Sequence, residues 1–422
     1  MLYCRMFSLL RQRNYALLWS SQLISQIGNW ALLAALPFYV FQLTGSVMAT
    51  GAMFAVEVIP SIALGSVAGV FVDRWNRRWT MIVANVFRGL LLLLLLAFRS
   101  PEQVWVVYIV AFFSSIANLF FSPANNALLP RLVGENELVS ANSLDALGEN
   151  VARIIGPAVG GALLAAAGMA AVALGDFATY LIGAGLIYLI CEPTPEAQNM
   201  AIPEERRSLQ TEWVTFWKEW AGGLRLVGQN RSLSFAFLAV GVALIGDTIM
   251  GVLLVVFVQD TLGAGAQEFG WVLTARGIGG VAGGLIIARI GPRFNPKNLM
   301  AYGMVGAGLL LILMLQFPVL EVVLATAVLI GLPVMALLIA GQTWLQTHSE
   351  DRYRGRVFGA FETYSAFMGL LGIGFATLSG ESMGAIFSLY ISALFFICGG
   401  LLAYVLLQPR FLQASTVEVK AE

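Results

Sequence analysis

Charge is what this chain has least of. Only 11% of its 422 residues are Asp, Glu, Lys or Arg, while 59% are apolar. A soluble domain carries roughly 25% charged residues, so an ordinary water-facing surface is excluded and most side chains must meet something else. Histidine occurs once, as His348, in a stretch expected to be a cytoplasmic loop, which leaves carboxylates as the groups able to exchange protons inside the chain. The three cysteines, Cys4, Cys191 and Cys398, have no metal-type spacing and suggest no disulfide framework. There is no GxxxxGK[ST] phosphate loop and no HExxH pair, so ATP-driven pumping and zinc hydrolysis have no residues to carry them. An enzyme, a metal site, a resident cofactor and a nucleic-acid partner are not expected.

Apolar runs of about 20 residues, the length that crosses a hydrocarbon core, recur from end to end. Twelve spans are predicted, at 15–40, 46–72, 79–98, 104–121, 141–165, 169–190, 233–258, 269–290, 299–317, 321–342, 357–378 and 385–407. The basic residues give an independent check. With the N-terminus inside, 20 of the 24 Lys and Arg fall on the cytoplasmic side, Arg99 alone falls outside, and Arg88, Arg153 and Arg276 lie within spans. A missed span would scramble that partition, so both termini are expected inside, with the bilayer as the surrounding partner. The one long polar segment, 192–231, separates an N-terminal six-helix bundle (1–191) from a C-terminal one (232–422). Its second half spaces Trp213, Trp217, Trp220 and Leu224 as one helical stripe. Such a helix could lie in the headgroup layer or pack on the bundle.

The two halves echo each other. Gly65, Gly69, Arg74 and Arg78 recur 215 residues later as Gly280, Gly284, Arg289 and Arg293. The stretch Gly69-x-x-x-Asp73-Arg74-x-x-Arg77-Arg78 resembles the loop motif of the major facilitator superfamily, with Asn76 where that motif has a glycine. Asn tolerates left-handed backbone geometry, so the departure is a mild one. Gly156-Pro157-Ala-Val-Gly160-Gly161 is similar to the helix-five motif of proton-driven exporters in that superfamily. Ser122-Pro123, Leu129-Pro130, Ala141-Asn142 and Gly355-Arg356-Val357-Phe358 resemble the branch of macrolide-efflux and enterobactin-export proteins. The resemblance covers essentially the whole chain. It implies an all-α membrane fold of two six-helix bundles related by a pseudo-two-fold axis, rocking about a central site, in a bacterial inner membrane and as a monomer.

Within that frame, Gly65, Gly69, Gly280 and Gly284 are expected to let neighbouring helices approach and slide. Gly69, Asp73, Arg74, Arg77, Arg78, Arg131 and Arg356 are expected to form a cytoplasmic latch that breaks in each cycle. Arg74 and Arg78 could instead serve topology alone. A charge at the membrane centre costs roughly 3 kcal/mol, so each needs a partner or a task. Six intramembrane acids (Glu57, Asp145, Glu149, Asp176, Asp247, Glu362) face three arginines (Arg88, Arg153, Arg276), leaving carboxylates to bind protons or a cation. Asp247 ranks first for that role and Glu57 second. Glu149 and Arg153, four apart on one helix, should pair. Arg88 should neutralise Glu57 or Glu149, Asp176 should sit near the outer interface, and Asp145 and Glu362 should border the vestibule. Gln22, Gln26, Asn29 and Trp30 on the first helix, with Asn118 on the fourth, should line the cavity.

The function expected is efflux of amphipathic organic molecules such as drugs or siderophores, driven by exchange for protons. The substrate would be cationic if the surplus of acids binds it. A lysophospholipid flippase, with the arginines on the phosphate, and a uniporter or importer of a polar metabolite remain as alternatives.

Overall fold

A computed structural model describes residues 7–191 and 221–407, apart from the side chains at 65–70, 73, 74 and 135. Eleven helical elements among them are long and apolar enough to cross a membrane. The longest, Leu138–Tyr188, turns at Gly168, where φ is +74°, a value outside the helical range. That left-handed turn, which only glycine takes cheaply, parts the element into two arms and restores the twelve crossings. In chain order the helices are α1 (Arg13–Thr44), α2 (Val47–Arg74), α3 (Arg77–Leu92), α4 (Trp105–Leu132), α5 (138–167), α6 (169–188), α7 (Arg231–Val256), α8 (Ala266–Ile290), α9 (Pro296–Gln316), α10 (Leu320–His348), α11 (Arg354–Met383) and α12 (Ala385–Leu406).

Several helices begin where a side chain can satisfy their first amides. The Ser46 hydroxyl accepts from Ala49 N at the start of α2, and Asn230 accepts from Ser232 N and Leu233 N at the start of α7. Asn295 accepts from Lys297 N ahead of α9, with Pro296 in the first turn. Asn76 caps α3 in the same way, taking the Trp79 amide at 3.0 Å. Its φ is −69°, so the replacement of glycine in the loop motif serves a cap rather than a left-handed turn.

α1 packs on α5 and α6, α2 on α4, and α3 on α4 and α6. In the second half α7 packs on α11 and α12, α8 on α10, and α9 on α10 and α12. Two seams join the halves, α5 against α8 and α2 against α11. A shift of six helices turns one seam into the other, which is the pseudo-two-fold relation.

Among the described residues the halves share a buried apolar cluster on one face only. Phe38, Val47, Leu253, Phe269 and Ile373 share a single buried cluster toward the face opposite the termini. There Gln259 Nε2 donates to Phe38 O at 2.8 Å, and Met48 N donates to a Glu381 carboxylate oxygen at 3.4 Å. Toward the terminal face the clusters separate, one around Tyr15, Leu128 and Leu144, another around Met300, Trp344 and Phe396. The molecule is thus shut at the far face and parted at the terminal face.

Three expectations need correction. α4 runs to Leu132 through Pro123 and Pro130 rather than ending near residue 121. His348 does not lie in a loop; it ends α10, is buried, and stacks on Trp344 with ring centroids 4.0 Å apart. Nothing lies within 4 Å of a Cβ built on Gly280, and only the Met335 methyl nears one on Gly284. The close-packed positions are Gly279 and Gly283, set against the α10 backbone at Val328 and at Gly331–Leu332. One residue turns a helix by about 100°, so the repeat seen in sequence reads the wrong face there. Gly65 and Gly69 fall among the side chains outside the description.

Of the long polar segment, residues 221–229 are helical and pack on the second half. Gly223 sits against the Arg356 carbonyl, and Val227 joins Leu233, Phe237, Leu345 and Val357. Trp213, Trp217 and Trp220 lie outside the described residues.

Candidate transport site

The helix-five motif is a two-sided seat. A Cβ at Gly156 or Gly160 would collide with α1 at Trp30 and at Ala31 O, and one at Gly161 would strike Ala266 O of α8. Gly270 of α8 answers with its own close approach to Pro157 O. Further along the seam Thr274 Oγ1 donates to Ile154 O at 2.8 Å. Small residues on both helices bring the backbones together without side-chain bulk. The motif therefore fixes α1 and α8 against one helix at the boundary between the halves.

Beside this seam lie two ion pairs. Glu149 and Arg153 pair at 3.2 Å along α5, as their spacing suggested, and Arg153 lies over the Trp30 ring at 5.2 Å. Asp247 of α7 is held by Arg276 of α8 at 2.6 Å, with the two side chains 43% and 29% exposed. Asp247, ranked first for binding a proton or cation, is thus committed to a charge-assisted bond.

The interior of the N-terminal bundle, away from the seam, is arranged differently. α1, α2 and α4 leave between them a recess of about 130 Å³, lined by Asn29, Glu57, Ser114, Ser115 and Asn118 with Leu32, Leu33, Leu36, Pro37, Met53 and Val110, and Arg88 of α3 closes it. Arg88 is 8% exposed. Its guanidinium lies over the Tyr180 ring at 4.6 Å and donates to Asn118 Oδ1 at 3.4 Å and to Asn29 Oδ1 at 3.3 Å. It forms no ion pair with Glu57 or Glu149, contrary to expectation; Glu149 is taken by Arg153. The Glu57 side chain makes no hydrogen bond or ion pair among the described residues, and only its backbone carbonyl is engaged, by Ser115 Oγ at 2.7 Å.

Asp176 is also placed differently from expectation. It is 2% exposed, facing Gly28 of α1 and receiving the Thr179 hydroxyl at 2.9 Å. Several atoms around this centre are buried without partners: Arg88 Nε, Asp176 Oδ2, Gln26 Oε1 and both amide atoms of Asn85. Gln22 donates to Asn125 Oδ1 at 2.7 Å, and Tyr15 OH donates to Asp145 at 3.3 Å. Asn85, Asn125, Ser114, Ser115 and Tyr180 escaped the sequence reading; the polar ones could have been sought as amides and hydroxyls recurring within apolar runs, whereas nothing marks Tyr180.

The latch residues are described in part. Arg78 donates to the carbonyls of Ile187 and Tyr188, capping the end of α6. Arg131 and Arg356 are exposed, and Arg356 lies 5.9 Å from the Tyr353 ring. Arg77 begins α3. The side chains of Asp73 and Arg74 are outside the description. Glu362 is exposed on α11. Among the described residues no group of three or more His, Cys, Asp or Glu could hold a metal.

Two other features carry less chemistry. A larger groove of about 580 Å³, bounded by Trp75, Trp79, Val83, Phe87 and Phe120, offers no charged group. Gly380-Glu-Ser-Met-Gly384 matches a Gly-x-Ser-x-Gly pentapeptide in letters. It closes a helix rather than following a strand, and Ser382 Oγ is bonded to Leu378 O at 2.6 Å, so it is no nucleophile elbow.

Comparison with known proteins agrees with this architecture. The family profile described as a transmembrane secretion effector matches residues 4–420. An MFS-type transporter of Bacillus subtilis, YfiS, is 26% identical over 405 residues, covering 93% of this chain and 92% of the relative. Macrolide efflux protein A of Streptococcus pyogenes is 29% identical over 226 residues, 53% of each chain. The putative bacilysin exporter BacE of B. subtilis is 25% identical over 343 residues, 81% of this chain and 82% of that one. Among solved structures, the nucleoside transporter NupG superposes with a TM-score of 0.76 at 14% identity, over 94% of this chain and 99% of that one. A bacterial ferroportin homologue in an inward-facing state gives 0.71 at 14% identity, over 93% and 99%. The chain belongs to the transmembrane secretion effector family of the major facilitator superfamily, as a multi-pass membrane transporter with two six-helix bundles.

Proposed function

We propose that this transporter exports amphipathic organic molecules across a bacterial inner membrane in exchange for protons, with both termini in the cytoplasm and Glu57 as the exchanging carboxylate. The observation that carries this reading is the recess: among the described residues the Glu57 side chain there has no hydrogen-bond or ion-pair partner, while Asp247 is bound to Arg276 at 2.6 Å. The relatives include a macrolide efflux protein and a putative bacilysin exporter, which supports outward transport.

In the parted conformation, ionised Glu57 takes the cationic part of a substrate arriving from the terminal face. Rocking about the α5–α8 and α2–α11 seams then opens the far face, where a proton displaces the substrate. The groups acting on Glu57 are few. Arg88 comes from α3, and α1 and α4 supply only amides and hydroxyls as polar groups. α11 meets α2 near its far-face end, where it carries Glu381. The lysophospholipid reading has less support, because Arg153 and Arg276, which would bind the phosphate, are already ion-paired.

The test is pH-gradient-driven movement of ethidium in proteoliposomes holding the purified full chain. Glu57→Gln should abolish the dependence on the gradient while the protein stays folded. Undiminished gradient-driven transport in that variant would remove Glu57 from the coupling.

A further inference from the structure

We infer that the recess between α1, α2 and α4 is a binding subsite for a zwitterionic head group, an ammonium and a carboxylate on one small body such as an amino acid or a short hydrophobic peptide. The inference takes the recess from the export reading and names the class of molecule it selects.

Neither charged group in the recess is paired with an opposite charge among the described residues. Arg88 spends only two of its five N–H donors, both on neutral amide oxygens at 3.3–3.4 Å, and its Nε has no partner. Its guanidinium lies over Tyr180 and lines the recess, and each terminal nitrogen keeps one N–H beyond its amide bond, a pair of donors of the kind that matches a carboxylate. Glu57 presents a carboxylate with no donor. A ligand with only a cation would meet Glu57 and leave Arg88 without a counter-charge, and a simple anion would do the reverse. A body carrying both signs satisfies both groups.

Size and surroundings agree. The recess, about 130 Å³, has the bulk of about four waters at about 30 Å³ each, which suits a small ionic head. Leu32, Leu36, Met53 and Val110 form apolar wall for the rest of the molecule. The site is not a by-product of the internal repeat either. At the 215-residue offset, Val272 and Gly303 stand where Glu57 and Arg88 would be.

The experiment measures equilibrium binding of radiolabelled leucyl-phenylalanine to the purified full chain in four forms: both ends free, C-terminal amide, N-acetyl, and doubly blocked. The free form should bind at least about tenfold more tightly than either singly blocked form, the scale of one hydrogen-bonded charge. Glu57→Gln should erase the advantage over the N-acetyl form, and Arg88→Gln the advantage over the amide. Arg88→Lys, which keeps the buried charge, should retain part of that advantage and so separates recognition from misfolding. Should Arg88→Gln fail to fold, the wild-type series and Glu57→Gln still decide. Equal binding of all four forms, preference for a singly blocked form, or no binding of any would overturn the assignment. Gradient-driven ethidium movement in the same preparation keeps the two readings apart. If it is lost in Glu57→Gln while no form of the dipeptide binds, the export reading stands and the zwitterion site falls. If the free dipeptide binds selectively but the gradient moves nothing, the reverse holds.

Discussion

In the N-terminal bundle Arg88 and Asp176 are 8% and 2% exposed, and neither touches an opposite charge. In the C-terminal bundle Asp247 and Arg276 are closed on each other at 2.6 Å and remain partly exposed, as Glu149 and Arg153 do beside the seam on α5. The same architecture thus treats charge in two ways. A closed pair needs nothing further, whereas buried polar atoms without partners call for water or a ligand. The N-terminal bundle holds that demand on charged groups, at Arg88 Nε and Asp176 Oδ2, and on both amide atoms of Asn85, whereas in the C-terminal bundle it falls on the neutral Ser232, Trp344 and Ser365. We read the N-terminal bundle as the half that does the chemistry, with the C-terminal half as the body against which it rocks.

The comparison can be broken most severely by removing the geometry both halves share. Gly160→Leu drives a side chain into the α1 backbone at Ala31, whereas Gly280→Leu points into open space. The first should cost upwards of about 3 kcal/mol and abolish recovery of folded protein; the second should leave the detergent melting temperature nearly unchanged. Next in size are the charge variants. Asp247→Asn strands Arg276 and should slow transport, while Asp247→Asn combined with Arg276→Gln should regain most of the rate, as coupled neighbours do in a double-mutant cycle. No such rescue is expected for Glu57→Gln with Arg88→Gln, since these two are not a pair. Transport rates of the four combinations check both halves of the statement.

Smaller effects sharpen the account at the terminal face. Asp73→Asn should slow turnover with little change in substrate affinity, read by comparing transport rate with equilibrium binding. A normal rate with weakened binding would contradict the latch. Arg78→Gln removes the cap that holds Ile187 O and Tyr188 O and should lower stability by about 0.5–1 kcal/mol, measured as a modest drop in melting temperature.

How much of this was legible beforehand follows from what each feature depends on. The twelve crossings were readable because a bilayer demands length and hydropathy, which are local properties of the chain. The turn at Gly168 fell between two apolar runs, so the joined element Leu138–Tyr188 was still read as two spans. The overshoot of α4 was not, because Pro123 and Pro130 usually end helices yet here lie inside one. The Glu149–Arg153 pair was legible from spacing on a single helix. The Asp247–Arg276 pair, the seat of Arg88 on Tyr180 and the burial of Asp176 were not, because sequence reports depth in the membrane but not which way a side chain turns. For the same reason Gly280 and Gly284 were singled out where Gly279 and Gly283 make the contact.

The central claim, that exchange chemistry resides in the recess and not in the closed pair, is tested most directly by pH-gradient-driven ethidium transport in two variants side by side. The account expects Glu57→Gln to lose gradient dependence entirely, while Asp247→Asn with Arg276→Gln keeps it. Retention in the first and loss in the second would place the coupling in the C-terminal half and contradict the account.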